Sequence, residues 1–490
     1  MNGDDKAKTP NTSKVEISVR NFGPITEADL DLRPLTVFVG PSNTGKTYLS
    51  VLIYALQRVF ETFSVFPSLD ILRLIENGLR QTLSEDDSIE LKNQLLREIR
   101  NKLNSGQPFK FSDLPREVRT LAQFRFNTRH FFGTELKTEL ERCLDLNSVS
   151  DLILLTSEKD NAMKIVLRTN EANQNLWNFN MKVSKSGITV NGGINENTVI
   201  FSEDWSPLSP QIDFSDMFQF IVEPYGDLGD PYYLPAARSG IMQIHRVIAS
   251  SLIARSTRVG LETSEIPTLS GVVADFMEWL TLYEEDVEPD DRMNQIAEAL
   301  ESDVLDGQII LKPSPTGYPD FRYRPQETEQ DIRLTRSSSM ISELAPLVLY
   351  LRSFVHPGDT LIIEEPEAHL HPAAQAQMAA TLARLVRAGV RVLVTTHSDF
   401  MLQEIGNLMR VGMLKEKDAL KKETNDWLLP EEVGAWHFQK DQPVKEIQFD
   451  HTVGIEPEDY EDVAESLYNR WAGLQNRIEE LKDESERECE

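Results

Sequence analysis

The chain has 490 residues, 40% of them apolar, and a formal net charge of −29. That length and apolar content suit about two to four domains with a substantial core. The charge excludes a protein that coats nucleic acid with its whole surface, and the chain lacks a run of about eighteen apolar residues long enough to cross a membrane.

Residues 1–13 are polar, lack a signal-peptide pattern and read as a disordered tail. The two cysteines, Cys143 and Cys489, form no metal spacing and read as reduced thiols, which with the missing leader gives a cytoplasmic expectation. Val15–Val19 and Ala28–Leu32 alternate apolar and polar residues around the turn Asn21-Phe22-Gly23-Pro24-Ile25, which predicts a small antiparallel unit. Val37-Phe38-Val39 then reads as a buried strand. It leads into Gly40-Pro41-Ser42-Asn43-Thr44-Gly45-Lys46-Thr47, which fits G-x-x-x-x-G-K-[ST] at every fixed position. Leu49, Leu52, Ile53, Leu56 and Phe60 follow at helical spacing.

A strand, a glycine loop and a helix in that order make an anion site. The loop N–H groups and the free N–H groups opening the helix point at one place, and the two glycines permit turns that a side chain would block. Lys46 is placed to reach the terminal phosphates of a nucleotide, and the Thr47 hydroxyl to ligate Mg2+.

Residues 67–160 read as a helical insertion or arm, with Leu72, Leu74, Ile75 and Leu79, then Leu95, Leu96, Ile99 and Leu103, at helical spacing. Within it the stretch 92–137 reverses the chain's charge. Its basic residues include Arg97, Arg100, Arg116 and Arg119, with Phe124, Phe126, Phe131 and Phe132 interleaved. It is either an arm facing nucleic acid or a partner, or a solvated helical lid.

Residues 161–330 read as an edge sheet and a helical lobe. Short strands are expected at Ile165–Leu167, Trp177–Val183, Ile188–Val190 and Val199–Phe201, together a small sheet that forms the edge layer of the first lobe. Tyr232-Tyr233-Leu234 is a further strand running into a turn with Arg238, which either sits near phosphates or caps the helix that follows. Helices are expected at Val272–Tyr283 and Met293–Leu305, and strands at Ile309–Leu311 and Phe321–Tyr323.

Residues 331–455 carry the second half of the chemistry. Ser337-Ser338-Ser339 precede a helix with apolar Leu344, Leu347, Val348 and Leu351; such hydroxyls cap a helix or bind an anion. Leu361-Ile362-Ile363 is a continuous apolar run, as in a buried parallel strand, and ends in Glu364 and Glu365. Open α/β sheets bind ligands at that end of their strands. Glu364 is placed to hold Mg2+ through water, and Glu365 to polarise an attacking water. A helix from Pro372 to Ala388 and a strand Val390–Val394 follow, ending in Thr395-Thr396-His397-Ser398; His397 is placed to touch a γ-phosphate or the water. Residues 456–490 read as a C-terminal helix. Its Val463, Leu467, Trp471, Leu474, Ile478 and Leu481 recur at spacings that suit either docking on the chain's own body or a short coiled coil.

The phosphate loop, the serine-rich helix start, Ile-Ile-Glu-Glu-Pro-Glu-Ala-His-Leu-His-Pro and Val-Thr-Thr-His-Ser-Asp together resemble an ABC-type ATPase. The branch is that of structural-maintenance-of-chromosomes (SMC), RecF and OLD-family proteins. The motifs cover about Val15–Arg58 and Leu334–Phe400. The resemblance implies an α/β P-loop ATPase head, comprising residues 14–66 and 331–455, with a mixed sheet flanked by helices, an antiparallel N-terminal lobe and a large helical insertion. It implies ATP and Mg2+ as cofactors, and a homodimer or higher oligomer in which two heads sandwich two ATP molecules. Ser338 and Ser339 would then contact the γ-phosphate held by the other head, and Ala368–His371 would join the heads. No acidic cluster after His397 suits the Toprim nuclease of OLD proteins. The expected role is a switch that controls a separate effector in bacterial anti-phage defence, the alternative a RecF-like DNA-binding ATPase using the basic arm.

Overall fold

The computed structural model describes residues 14–65, 97–98, 101–102, 105–107, 109–114, 116, 119, 129–153, 162–171, 174–185, 187–194, 196, 199–201, 229–244, 268–284, 290–312, 319–416, 426–457 and 466–478. Its strands are β1 Lys14–Phe22, β2 Ile25–Leu32, β3 Leu35–Val39, β4 Phe109–Lys110, β5 Met163–Glu171, β6 Gln174–Ser184, β7 Gly187–Ile194, β8 Val199–Phe201, β9 Pro231–Leu234, β10 Gly307–Lys312, β11 Asp320–Pro325, β12 Ile332–Arg333, β13 Thr360–Glu364, β14 Arg391–Thr396, β15 Val433–His437 and β16 Lys445–Ile447. The helices used below are α1 Lys46–Val65, α2 Arg129–Cys143, α3 Gly271–Thr281, α4 Asp291–Leu300, α5 Ser339–Ser353, α6 Pro372–Arg387 and α7 Asp399–Glu416, with α8 at residues 466–478.

A six-stranded sheet in the order β16-β15-β3-β14-β13-β9 organises the chain. Five of its strands run parallel and β16 closes one edge antiparallel, so the sheet is mixed. The central strands read as unbroken apolar runs because both of their faces are covered. Successive side chains of a strand alternate between faces. Accordingly Leu361 and Ile363, Val392 and Val394, and Val37 and Val39 enter one hydrophobic core, with α5, α6 and α7. Ile362, Leu393 and Phe38 enter the other, with α1 and the antiparallel sheet.

That second sheet has the order β2-β1-β5-β6-β7 and is antiparallel throughout. β5–β7 continue the sheet begun by β1 and β2, because Ile17 of β1 pairs with Leu167 of β5, far along the chain. Val199–Phe201 departs from expectation: it pairs with Phe109–Lys110 rather than joining this sheet, with Phe109 buried at the contact.

The expected helices near Leu72 and Leu95, and most of the basic stretch 92–137, lie outside the described residues; α2 is the long helix described from that region. The α8 helix does not dock on the chain among the described residues. Its Leu467, Trp471, Leu474 and Ile478 are 61, 60, 56 and 50% exposed, so the docking alternative is set aside for that stretch.

Ile362 is fully buried at the centre of the sheet. Ile362→Ala removes three carbons from a site walled by strands on both sides, where collapse is restricted. The variant is expected to lose about 2–5 kcal/mol of unfolding free energy, read as a shift in the urea midpoint at unchanged slope.

Candidate functional site

Parallel pairing brings four strand ends to one edge of the sheet. Val39 pairs with Thr396, Glu364 with Thr395, and Ile363 with Leu234. The residues that follow these strands are Gly40, His397, Glu365 and the turn holding Arg238.

The loop 40–45 has three left-handed residues, Gly40 at φ 137°, Asn43 at 62° and Gly45 at 107°. A Cβ on Gly40 would lie 2.1 Å from the Phe438 carbonyl oxygen, and one on Gly45 would lie 2.4 Å from Ile25. Both close approach and backbone conformation therefore demand glycine there. The Thr44 hydroxyl closes the loop on the Pro41 carbonyl at 2.8 Å.

Lys46 opens α1 and is buried, with its Nζ donating to the Gly40 and Pro41 carbonyls, each at 2.7 Å. Burial pushes its pKa down to about 8, against the pull of Glu365, Glu367 and Glu364. An ammonium held at a helix N-terminus and short of solvent is poised for an anionic ligand.

The carboxylates divide by environment. Glu364, the last residue of β13, is buried, and burial raises its pKa. The Thr47 and Tyr233 hydroxyls face it and oppose that rise, as does the Ala236 N–H, which donates to its Oε2 at 3.3 Å. Its other oxygen, Oε1, is buried with no hydrogen-bond partner. An orphaned carboxylate oxygen beside a hydroxyl is a donor set that suits a hard cation. No group of three or more His, Cys, Asp or Glu able to hold a metal occurs among the described residues. Mg2+ asks for less, because it keeps waters and takes phosphate oxygens.

Glu365 is half-exposed and turns away from the strand through a left-handed φ of 45°. Its N–H donates to the Thr395 carbonyl at 2.9 Å, and its Oε1 lies 3.6 Å from His397 Nε2. Burial and Lys46 both lower the His397 pKa, which keeps the imidazole toward its neutral form, with Glu365 pulling the other way.

Glu367 had no role assigned from sequence, yet it seats the histidine: its Oε1 accepts from the His397 N–H at 2.7 Å and from the Thr396 hydroxyl at 2.8 Å. Burial raises its pKa too. The available signal was a third carboxylate three residues beyond Glu364.

Ser338 and Ser339 sit elsewhere. Ser338 is the N-cap of α5, accepting from the Ile341 N–H at 3.4 Å, and both serines are exposed. Pro41, Ser42 and Asn43 are also exposed at the loop tip. Arg238, open between two roles in the sequence, stands inside the site edge, near Glu343, Glu364, Glu367 and Glu365. It is 1% exposed and its guanidinium binds the Glu364 carbonyl at 2.5 Å.

Residues 260–402 match the family described as an AAA ATPase domain. The matched stretch runs from before α3 through β13 and β14 into α7, without the phosphate loop. No curated protein matches the chain. Among solved structures, an SMC head bound to the C-terminal winged-helix domain of ScpA is 10% identical with a TM-score of 0.39, covering 89% of this chain and 98% of that one. An SMC head with an extended coiled coil, from Pyrococcus furiosus and bound to the C-terminal domain of ScpA, is 11% identical with a TM-score of 0.38, covering 93% and 100%. The SMC head domain from Thermotoga maritima is 10% identical with a TM-score of 0.34, covering 90% and 100%. At these values the likeness is too remote to assign a role to any residue.

The Lys46 pKa has a consequence for ligand binding. A polyphosphate favours the charged ammonium, so the pKa rises on binding and a proton is taken up when the free site is partly deprotonated. Affinity should be flat below pH 7 and fall as pH rises through about 8, by about tenfold between pH 7 and 9. Calorimetry of a nucleotide titration in buffers of different ionisation enthalpy checks both the fall and the proton uptake.

Proposed function

We propose that this chain binds and hydrolyses ATP, and that the hydrolysis site forms at the C-terminal edge of its parallel sheet. The observation that carries the reading is the convergence on Lys46 of three carboxylates and His397, contributed by the ends of β14, which pairs with the phosphate-loop strand, and of β13, which pairs with β14. A lone glycine-rich turn has no need of such company.

Each group then has a task. The loop N–H groups and the α1 N-terminus cradle the phosphates, and Lys46 swings from the Gly40 and Pro41 carbonyls to the β- and γ-phosphates. Thr47 and Glu364 would hold Mg2+, which when bound neutralises charge developing on the phosphate oxygens. Glu365 faces His397 and Lys46 across the mouth of the site, where it accepts a proton from, or orients, the attacking water. His397, kept toward neutrality, donates a hydrogen bond to the γ-phosphate or to the water. Glu367 sets the His397 backbone and does not reach the substrate.

The exposed serines at the start of α5 favour a dimer reading. The α5 N-terminus has free N–H groups and two hydroxyls turned to the surface, where a second head's nucleotide can meet them. We place Ser338 and Ser339 in trans and ATP between two heads, so that binding closes the dimer and hydrolysis opens it. A separate effector protein would read that state; the anti-phage setting for such an effector follows from the resemblance. No helix among the described residues is long and apolar enough to cross a membrane.

Glu365→Gln keeps size and shape but removes the charge that polarises water. It should bind ATP as wild type does, hydrolyse it about a hundredfold or more slowly, and accumulate a closed dimer in size-exclusion chromatography with Mg·ATP. Glu364→Gln should weaken Mg2+-dependent binding and trap nothing. Normal turnover in Glu365→Gln, or trapping by Glu364→Gln, reverses the division of labour; wild-type binding and turnover in Lys46→Ala rejects the site.

The trans arrangement has its own test. Mixing Lys46→Ala subunits with subunits carrying Ser338→Arg and Ser339→Arg regenerates one intact composite site in each mixed dimer. Partial recovery of turnover is the expected result, and none, with mixed dimers shown to form, counts against serines acting in trans.

A further inference from the structure

Arg238 is among the largest fully buried side chains of the molecule, and no solvent screens its charge. Its Nη1 donates to the carbonyls of Glu364 at 2.5 Å, Pro235 at 2.9 Å and Leu234 at 3.4 Å. Its Nη2 donates to the Glu365 carbonyl at 3.2 Å and pairs with Glu343 Oε1 at 2.7 Å. Its Nε reaches the Glu343 carbonyl at 3.3 Å. The partner carboxylate is equally buried, at 1% exposure, and its Oε2 accepts from the Ser239 N–H at 3.0 Å. One cation thus ties together the end of β9, the end of β13 and the second turn of α5.

These are not interchangeable contacts. The strand-end carbonyls of Leu234 and Glu364 leave the sheet at the site edge and need donors. Glu365 follows in a left-handed conformation that L residues seldom adopt, and it persists because both its N–H, on Thr395, and its carbonyl, on Arg238, are held. On the other side, Glu343 lies five residues beyond Ser338, the N-cap of α5. A buried ion pair is weak evidence for stability, since apolar residues of equal volume often serve the fold as well. What it supplies here is a fixed geometry between the Glu364–Glu365 turn and the start of α5.

We propose that Arg238 and Glu343 form a positioning pair that holds the Glu364–Glu365 turn and the serine-bearing start of α5 in one relation, so that hydrolysis depends on the pair and nucleotide binding without Mg2+ does not. The inference rests on the ATPase reading and deepens it. The phosphate cradle is built from β3, the loop and α1, none of which the pair contacts. The metal-holding and water-facing carboxylates, by contrast, hang from the two carbonyls that Arg238 binds. A shift of about 1 Å in those carboxylates is enough to cost about a hundredfold in rate.

The test compares wild type, Lys46→Ala, Glu343→Gln, Arg238→Lys and the apolar pair Arg238→Met with Glu343→Met, measuring thermal unfolding, nucleotide affinity in the absence of Mg2+, and kcat with Mg2+ at saturating nucleotide. The apolar pair should unfold near the wild-type temperature and bind nucleotide without Mg2+ within about threefold of wild type, yet lose about a hundredfold in kcat. Arg238→Lys keeps the charge but has three donors on one atom, and should recover only part of kcat. If the apolar pair does not fold, Glu343→Gln decides, because it keeps an acceptor for the Ser239 N–H while removing the counter-charge; its kcat should fall with affinity retained. Wild-type kcat in the apolar pair, or in Glu343→Gln where only that variant folds, overturns the proposal, as does a loss of affinity equal to the loss of kcat. A wild-type enzyme whose turnover is absent or indifferent to Lys46→Ala instead overturns the ATPase reading on which it rests.

Discussion

The site depends on the register of three parallel strands. β3, β14 and β13 pair so that Val39, Thr396 and Glu364 end at one edge. Because side chains alternate along a strand, a slip of β13 by one residue would move Glu364 out of contact with Thr47 and turn Ile362 onto the opposite core. The two cores forbid that slip. Leu361 and Ile363 fill one and Ile362 the other, each side chain almost wholly buried. Chemistry at the edge is therefore fixed by packing in the middle of the sheet.

Electrostatics at that edge is a balance between two buried cations and four carboxylates. Lys46 and Arg238 both lose hydration; Glu365, Glu367 and Glu364 oppose that loss at Lys46, and Glu343, followed by the same three, opposes it at Arg238. The two cations differ in what they can do next. Arg238 is enclosed by carbonyls and a carboxylate and has no free direction. Lys46 makes two hydrogen bonds to loop carbonyls that a phosphate can replace. A flexible point charge suits a ligand that comes and goes, and a planar fork suits a permanent junction.

The local part of this architecture was legible in the sequence. Val37–Val39, Leu361–Ile363 and, apart from Arg391, Val390–Val394 stood out as strands because burial on both faces selects apolar runs. The loop 40–47 stood out because its backbone conformation restricts residue type at Gly40 and Gly45. Contacts between distant residues were not legible. Arg238 reaches Glu343 across 105 positions, and nothing in the spacing of either residue marks the other. The same holds for the register of β5 on β1, which an edge layer leaves open, and for β8, whose partner is a two-residue strand too short to carry a period. In α8 the apolar spacing was visible, but spacing states only that a face exists, and the face proved exposed.

The same distinction between local pattern and distant contact governs how α2 is seated. Tyr54 on α1 donates to Asp275 on α3 at 2.8 Å, and Arg142 of α2 grips that carboxylate at 2.6 and 2.8 Å. Arg142 also pairs with Glu139 one turn earlier on α2, which orients the guanidinium toward Asp275. Tyr54 packs edge-on against Tyr233, whose hydroxyl faces Glu364. The far end of this chain of contacts is α2, and the near end is the carboxylate beside Thr47. α1 carries Lys46 at its first residue and Tyr54 two turns later on a buried face. A helix is stiff over two turns, so the element that positions the phosphate-binding lysine is the one against which α2 and α3 are locked. α2 is thereby fixed to the phosphate-loop helix through Asp275 of α3.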